Sequence, residues 1–198
     1  YLERGLLFSQ TNRFVTAASP EQPYYALGYP LCIGMLYKIF GPSKTVIIWF
    51  ELLLALLSLL LIMRVTRRFF GQRAAAVAAL LFAVNVGYLT FTQFVLTEIV
   101  LSFLLLLFFE RMTAARPIQA ALALGASIVI KPAAIFFVLP ACLLLLALPG
   151  SGRLPRRSHA RAQAGRLAIA ATFALCFYLP VLGYMTYNYY SFWNFCVS

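Results

Sequence analysis

From Thr45 onward the chain alternates long apolar runs with short arginine-bearing connectors. The first run, TVIIWFELLLALLSLLLIM over Thr45 to Met63, is close to the ~20 residues that a helix needs to cross a bilayer. It gives way at Arg64 to RVTRRFFGQR. The second, Ala74 to Phe109, would extend ~54 Å as one helix, too long for a ~30 Å hydrocarbon core. It therefore reads as a hairpin turning in TFTQFVLTE, Thr90 to Glu98. The third, Pro117 to Leu148, is interrupted at Lys131 and Pro132, because proline lacks an N–H and biases its predecessor away from helix. Two short spans are expected there. A last run covers Leu167 to about Thr186, ahead of the aromatic tail YNYYSFWNFCVS. No period-two alternation appears, so a β-barrel is excluded.

Charge in the connectors fixes the count. Arg64, Arg67, Arg68 and Arg73 lie in the first, Arg111 and Arg116 in the second, and Arg153, Arg156, Arg157, Arg161 and Arg166 in the third. The positive-inside rule puts all three in the cytoplasm, and two connectors on one face require an even number of crossings between them. The expected architecture is an all-α, polytopic membrane bundle with about six spans, near 45–63, 74–91, 95–109, 117–130, 133–148 and 167–186. Residues 1–44 form an outer loop with interfacial juxtamembrane helices, and 45–198 the transmembrane domain. In LCIGMLYKIFG, Leu31, Met35, Leu36 and Ile39 share one helical face, with Lys38 placed to reach headgroups.

Composition agrees: 63% of residues are hydrophobic, 11% are charged, and the mean hydropathy is +0.89, far from soluble usage. The net charge of +11 does not point to nucleic acid, since the basic residues sit between apolar runs and not along a helix face or among stacking aromatics. Cys32, Cys142, Cys176 and Cys196 lack metal spacing, and His159, among five arginines, reads as a solvated loop residue. No phosphate-binding glycine loop, metal cluster or nucleophile triad is present in the sequence, so no metal site is assigned.

The order of several segments is informative. ALGYPLCIGMLYKIFG, LTEIVLSFLLLLFFE and ALALGASIVIKPAAIFFVLP resemble, in that order, segments of the polyprenyl-phosphate-sugar-dependent membrane glycosyltransferases of GT-C type. That family, glycosyltransferase family 39, includes protein mannosyltransferases and the aminoarabinose transferase. YLPVLGYMTYNYYSFWNF resembles it more weakly: Tyr187 stands where arginine is usual and Trp193 where glycine is.

The resemblance implies transfer of a hexose or pentose from a polyprenyl-phosphate donor to an acceptor lipid, glycan or protein in the cell envelope. The reaction would take place at the outer face of a bacterial cytoplasmic membrane, in a multi-pass protein. No cofactor is implied with certainty, though a divalent metal suits a phosphate leaving group. A transporter or lipid flippase is the alternative. The resemblance also implies a catalytic aspartate and a first span upstream of YLERG at Tyr1, so that these residues alone would be inactive.

Within that frame Lys131 is assigned to the donor phosphate, because an ionisable residue at a span costs a contested ~2.5 kcal/mol or more and marks function by default. Glu98, on the same side, would orient Lys131 or a sugar hydroxyl; the competing reading is that the two pair with each other or snorkel. Glu21, Tyr24, Tyr25 and Tyr29 are sugar- or acceptor-lining candidates, with interfacial anchoring as the rival reading, and Asn188 is a supporting candidate. Glu51, ~9 Å inside the first span, faces either the same cavity or a neighbouring helix that satisfies it.

Overall fold

The computed structural model describes residues 1–13, 26–91, 94–141, 171–175, 177–186 and 189. In chain order these form α1 (Leu2–Thr11), α2 (Gly28–Phe40), α3 (Lys44–Ala83), α4 (Val86–Phe91), α5 (Thr97–Thr113) and α6 (Pro117–Ile130). A 3-10 turn, Pro132–Phe137, then leads into helix as far as Ala141, and α7 is Ala171–Thr186. No strand occurs among the described residues, and the all-α architecture holds.

Helix α3 does not stop at Arg64, where the first apolar run ends. Arginine is a good helix former, and the helix continues until Gly71, whose φ of 84° and ψ of 178° break it into two pieces. The second piece ends at Ala83; Asn85 then caps α4, its Oδ1 accepting the Tyr88 N–H at 3.0 Å.

The faces of α3 show what surrounds it. Trp49, Leu53, Leu56, Leu60 and Met63 recur at helical spacing and are exposed, Trp49 to 69%. The opposite stripe, Ile47, Glu51, Leu54, Ser58 and Leu61, is buried, and it carries the polar residues. An apolar outside around a partly polar inside is the pattern that hydrocarbon imposes. By length and composition, α3 is the one helix among the described residues able to cross a bilayer; α6, Pro132–Ala141 and α7 are shorter apolar helices.

Lipid supplies little hydrophobic drive between helices, so association depends on close packing of small residues. α6 presents Ala120, Ala121, Ala123 and Gly125, all buried. They pack with Phe108 of α5 and with Phe173, Phe177 and Val181 of α7. A β-carbon at Gly125 would lie 2.6 Å from the Phe177 carbonyl oxygen and 3.0 Å from the Pro180 ring. Gly125→Leu should therefore part α6 from α7 and destabilise the fold by about 1–3 kcal/mol or more, read as a lower melting temperature in detergent.

A second cluster joins Tyr29, Ile33 and Tyr37 of α2 to Ile47 and Leu54 of α3 and to Ile99 and Val100 of α5. α2 thus buries Tyr29, Ile33 and Tyr37, and leaves Met35 and Ile39 of the expected lipid face exposed. Lys38 binds the Asn12 side-chain oxygen and lies 4.6 Å from the centre of the Phe8 ring, so it braces α1 on α2.

The ends of α5 are chemically distinct. At its C-terminal end Arg68 Nη1 of α3 donates to Thr113 Oγ1 at 2.9 Å, and Arg111 pairs with Glu110 at 3.2 Å. Its N-terminal end, about 25 Å away by helical rise, carries Glu98.

Candidate functional site

The site is organised by the Gly-Tyr-Pro step that opens α2. Pro30 falls in the first helical turn, where backbone N–H groups lack intrahelical partners and a missing donor costs nothing. Leu27, at the N-cap, finds an external partner: its N–H donates to the Tyr184 hydroxyl of α7 at 3.1 Å, in a buried bond. Gly28 lies against α6, where an added β-carbon would be 2.5 Å from the Val129 carbonyl oxygen.

Tyr29 turns towards α3. Its ring is fully buried, edge-on to Tyr1 with ring centres 5.3 Å apart, and its hydroxyl donates to Glu51 Oε1. Burial first, and then the carboxylate it bonds, push the Tyr29 phenol far up, so it stays an O–H donor. Glu51 is 0% exposed, and its second oxygen, Oε2, is buried without a hydrogen-bond partner among the described residues.

Beside this pair stand Glu98, in the first turn of α5, and Lys131, the C-cap of α6, held extended (φ −148°, ψ 112°) ahead of Pro132. Lys131 Nζ donates to Glu98 Oε1 at 3.0 Å, and Thr97 Oγ1 donates to Glu98 Oε2 at 3.2 Å. The two charged side chains are 44% and 43% exposed. An ion pair this open contributes only about 0–1 kcal/mol, and an ammonium has three donors, so Lys131 keeps capacity for an anion.

Below lies an apolar cavity of about 600 Å³. Its walls include Leu27, Gly28, Leu31 and Cys32 of α2 and Val100 and Leu104 of α5. Val129 and Ile130, the two residues before Lys131, complete the rim on α6. The volume is within the ~300–1,000 Å³ of ordinary ligand pockets. Burial pushes the Cys32 thiol up, which lowers its thiolate fraction near neutral pH. With every other cysteine replaced, Cys32 should alkylate more slowly at pH 8 than a free thiol and accelerate as pH rises beyond the ordinary thiol range, measured by maleimide mass shift.

Of the residues marked from the sequence, Lys131 and Glu98 are brought into contact, and Tyr29 packs with Ile99 and Ile130, their chain neighbours. Tyr29 presents no surface to a sugar in this arrangement. Glu21, Tyr24, Tyr25 and Asn188 lie outside the described residues, as do His159, Cys142, Cys176 and Cys196. Among the described residues no group of three or more His, Cys, Asp or Glu side chains comes together. Sequence reasoning left Glu51 between two readings and missed Tyr184 and the cavity. The only sequence signal for the Glu51 contact was a lone acid in an apolar run; neither Tyr184 nor the cavity carries one.

Apolar outer faces, inward polar pairs gathered at one end and an apolar cavity beneath them define a membrane-embedded helical protein with an amphiphilic site. The sequence model of the dolichyl-phosphate-mannose-protein mannosyltransferase family matches residues 23–184, most of the chain. The chain belongs to that family and is a membrane glycosyltransferase of GT-C type, which implies a lipid-linked sugar donor and an acceptor. No curated protein and no solved structure matches it.

Proposed function

We propose that the protein transfers a sugar from a polyprenyl-phosphate donor to an acceptor hydroxyl at the outer face of a bacterial cytoplasmic membrane. The observation that carries this reading is the half-exposed Lys131 ammonium directly after two residues that line the apolar cavity. A phosphate head joined to an apolar chain matches both halves. The cavity is too small for a whole polyprenyl tail and takes the isoprene units next to the phosphate, leaving the rest in the bilayer.

In the reaction the acceptor oxygen attacks the anomeric carbon from the side opposite the phosphate. The anomeric carbon–oxygen bond breaks, and polyprenyl phosphate leaves with the electron pair. Lys131 stabilises the charge that develops on the phosphate, and Glu98 orients Lys131. The acceptor proton passes to a carboxylate base, a step worth about 10²–10⁴-fold. The family resemblance assigns that base to an aspartate preceding Tyr1. Glu21, Tyr24 and Tyr25 are proposed for the sugar and acceptor, and Asn188 for support. The six-span, multi-pass topology belongs to the same proposal.

The test is transfer of a radiolabelled sugar from a polyprenyl-phosphate donor by the complete protein in proteoliposomes, compared with Cys32→Trp. Cys32 is a cavity wall. Filling the space should raise the donor KM roughly ten- to a hundred-fold, the equivalent of about 1–3 kcal/mol of overpacking. Absence of transfer by the wild type from any polyprenyl-phosphate sugar would remove the reading; an unchanged KM in Cys32→Trp would remove the cavity from it.

A further inference from the structure

Glu51 is a carboxyl group that the transfer chemistry above does not use. It sits on the inner stripe of α3, fully buried, with one oxygen taken by the Tyr29 hydroxyl and the other without a partner among the described residues. Such a group is expensive. A leucine would fill the same space with neither desolvation nor an orphaned oxygen, so fold stability gives no reason for a carboxyl there. An ionisable group kept inside a membrane span points to a task, and its side-chain hydrogen-bond partner, the Tyr29 hydroxyl, names the task's object.

That partner is in the first turn of α2, which is gripped at three points. Tyr29 is bonded to α3 through Glu51, the Leu27 N–H to α7 through Tyr184, and Gly28 is pressed on the Val129 carbonyl of α6. The same turn supplies Leu27, Gly28, Leu31 and Cys32 to the cavity wall, while the Tyr29 ring packs with Ile99 and Ile130 next to Glu98 and Lys131. Of the three grips, one runs from the Leu27 backbone N–H to a side-chain hydroxyl and one is the close approach of Gly28 to a backbone carbonyl. Only the Tyr29–Glu51 bond joins two side chains.

We propose that Glu51 is a positioning residue for donor binding: by accepting the Tyr29 hydroxyl bond it holds the first turn of α2 as a wall of the apolar cavity, in register with the Glu98–Lys131 pair. It touches no reacting atom and acts through Tyr29. The inference rests on the proposed transfer reaction for its kinetic consequences and on geometry alone for its conformational ones.

The acceptor oxygen, and not the charge, does the holding, so Glu51→Gln keeps the function while Glu51→Leu and Tyr29→Phe lose it. In the complete protein the latter two should each raise the donor KM about ten-fold with kcat almost unchanged, the pattern of lost ground-state binding. A purely structural role would instead lower the amount of active enzyme, reducing apparent kcat at constant KM. The double variant Glu51→Leu/Tyr29→Phe should be no worse than either single, since neither partner is then stranded.

A second readout does not depend on transfer. Cys32 is one turn from Tyr29 and lines the same wall, so in a protein with all other cysteines replaced its alkylation should quicken about ten-fold in Glu51→Leu and Tyr29→Phe and not in Glu51→Gln. Unchanged KM and unchanged alkylation in Glu51→Leu overturn the proposal. Equal loss of kcat in Glu51→Gln and Glu51→Leu also overturns it, by showing that the charge itself takes part. If Glu51→Leu does not fold, Tyr29→Phe, which removes one oxygen, decides by the same two readouts. If the wild type transfers no sugar, the reaction assigned above fails, and the alkylation series alone upholds or overturns the positioning role.

Discussion

Replacing Lys131 by alanine in the complete protein should reduce sugar transfer by about 10²–10³-fold while leaving the protein folded and membrane-inserted. The size follows from where the charge stands. The leaving group is a phosphate, which needs no proton but gains negative charge as the anomeric bond lengthens, and a fixed cation at that point is worth about as much as one oxyanion-hole donor. The stability cost is small, because the Glu98–Lys131 pair is nearly half exposed on both sides and so contributes about 0–1 kcal/mol. This separates the two readings of Lys131. If the lysine only pairs with Glu98, then Lys131→Ala and Glu98→Gln should give the same slight effect on turnover. If it holds phosphate, Lys131→Ala is crippling and Glu98→Gln, which leaves the ammonium in place with an amide oxygen to orient it, is mild. Lys131→Arg should retain part of the activity, since it keeps the charge but changes its geometry. The measurement is steady-state transfer in proteoliposomes, with chromatography in detergent to establish that folding is intact. Turnover in Lys131→Ala within a few-fold of wild type would remove the phosphate assignment and leave family membership untouched.

The second large effect is expected at Gly28. A valine there puts its β-carbon 2.5 Å from the Val129 carbonyl oxygen and 2.7 Å from the carbonyl carbon, and both are backbone atoms that cannot swing aside. Either α2 or α6 has to move. Movement of α2 breaks the Leu27–Tyr184 bond and pulls Tyr29 from Glu51, stranding buried polar groups at about 1–3 kcal/mol each in addition to the overpacking. Gly28→Val should therefore lose both stability and transfer, with little folded protein recovered. Gly28→Ala should show the same defect in milder form, as a fall in melting temperature together with a rise in donor KM. A melting temperature and KM unaltered in Gly28→Ala would mean that α2 and α6 do not approach as closely as described.

Much of this arrangement can be traced to particular residues in the sequence. Pro132 dictates the end of α6, because the residue before it is driven out of helix, and Lys131 takes the extended conformation that follows. The expectation that sets the arginines on one face also brings Glu98 and Lys131 together on the other, and the contact between these two side chains is observed. The Tyr29–Glu51 contact was a different matter. It joins residues 22 positions apart through the angle at which α2 crosses α3, and a lone acid in an apolar run specifies a need for a partner without specifying which. The cavity was out of reach for a related reason: it is defined by where side chains from six helices fail to meet. The helix runs on past Arg64 because charge density marks where a helix leaves hydrocarbon, whereas backbone conformation decides where it stops, and nothing between Arg64 and Phe70 forbids α-helical angles.

The unbroken part of α3, from Lys44 to Phe70, runs for about 40 Å, against a hydrocarbon thickness of ~30 Å. A rod of that length in so thin a slab must lean or leave its arginine-bearing turns among the headgroups. Glu51 is two turns from one end of the rod, so any change of tilt also carries the grip on Tyr29. Lipids with longer or shorter acyl chains should therefore tune donor affinity without contacting the donor, making the thickness of the host membrane a variable of the enzyme.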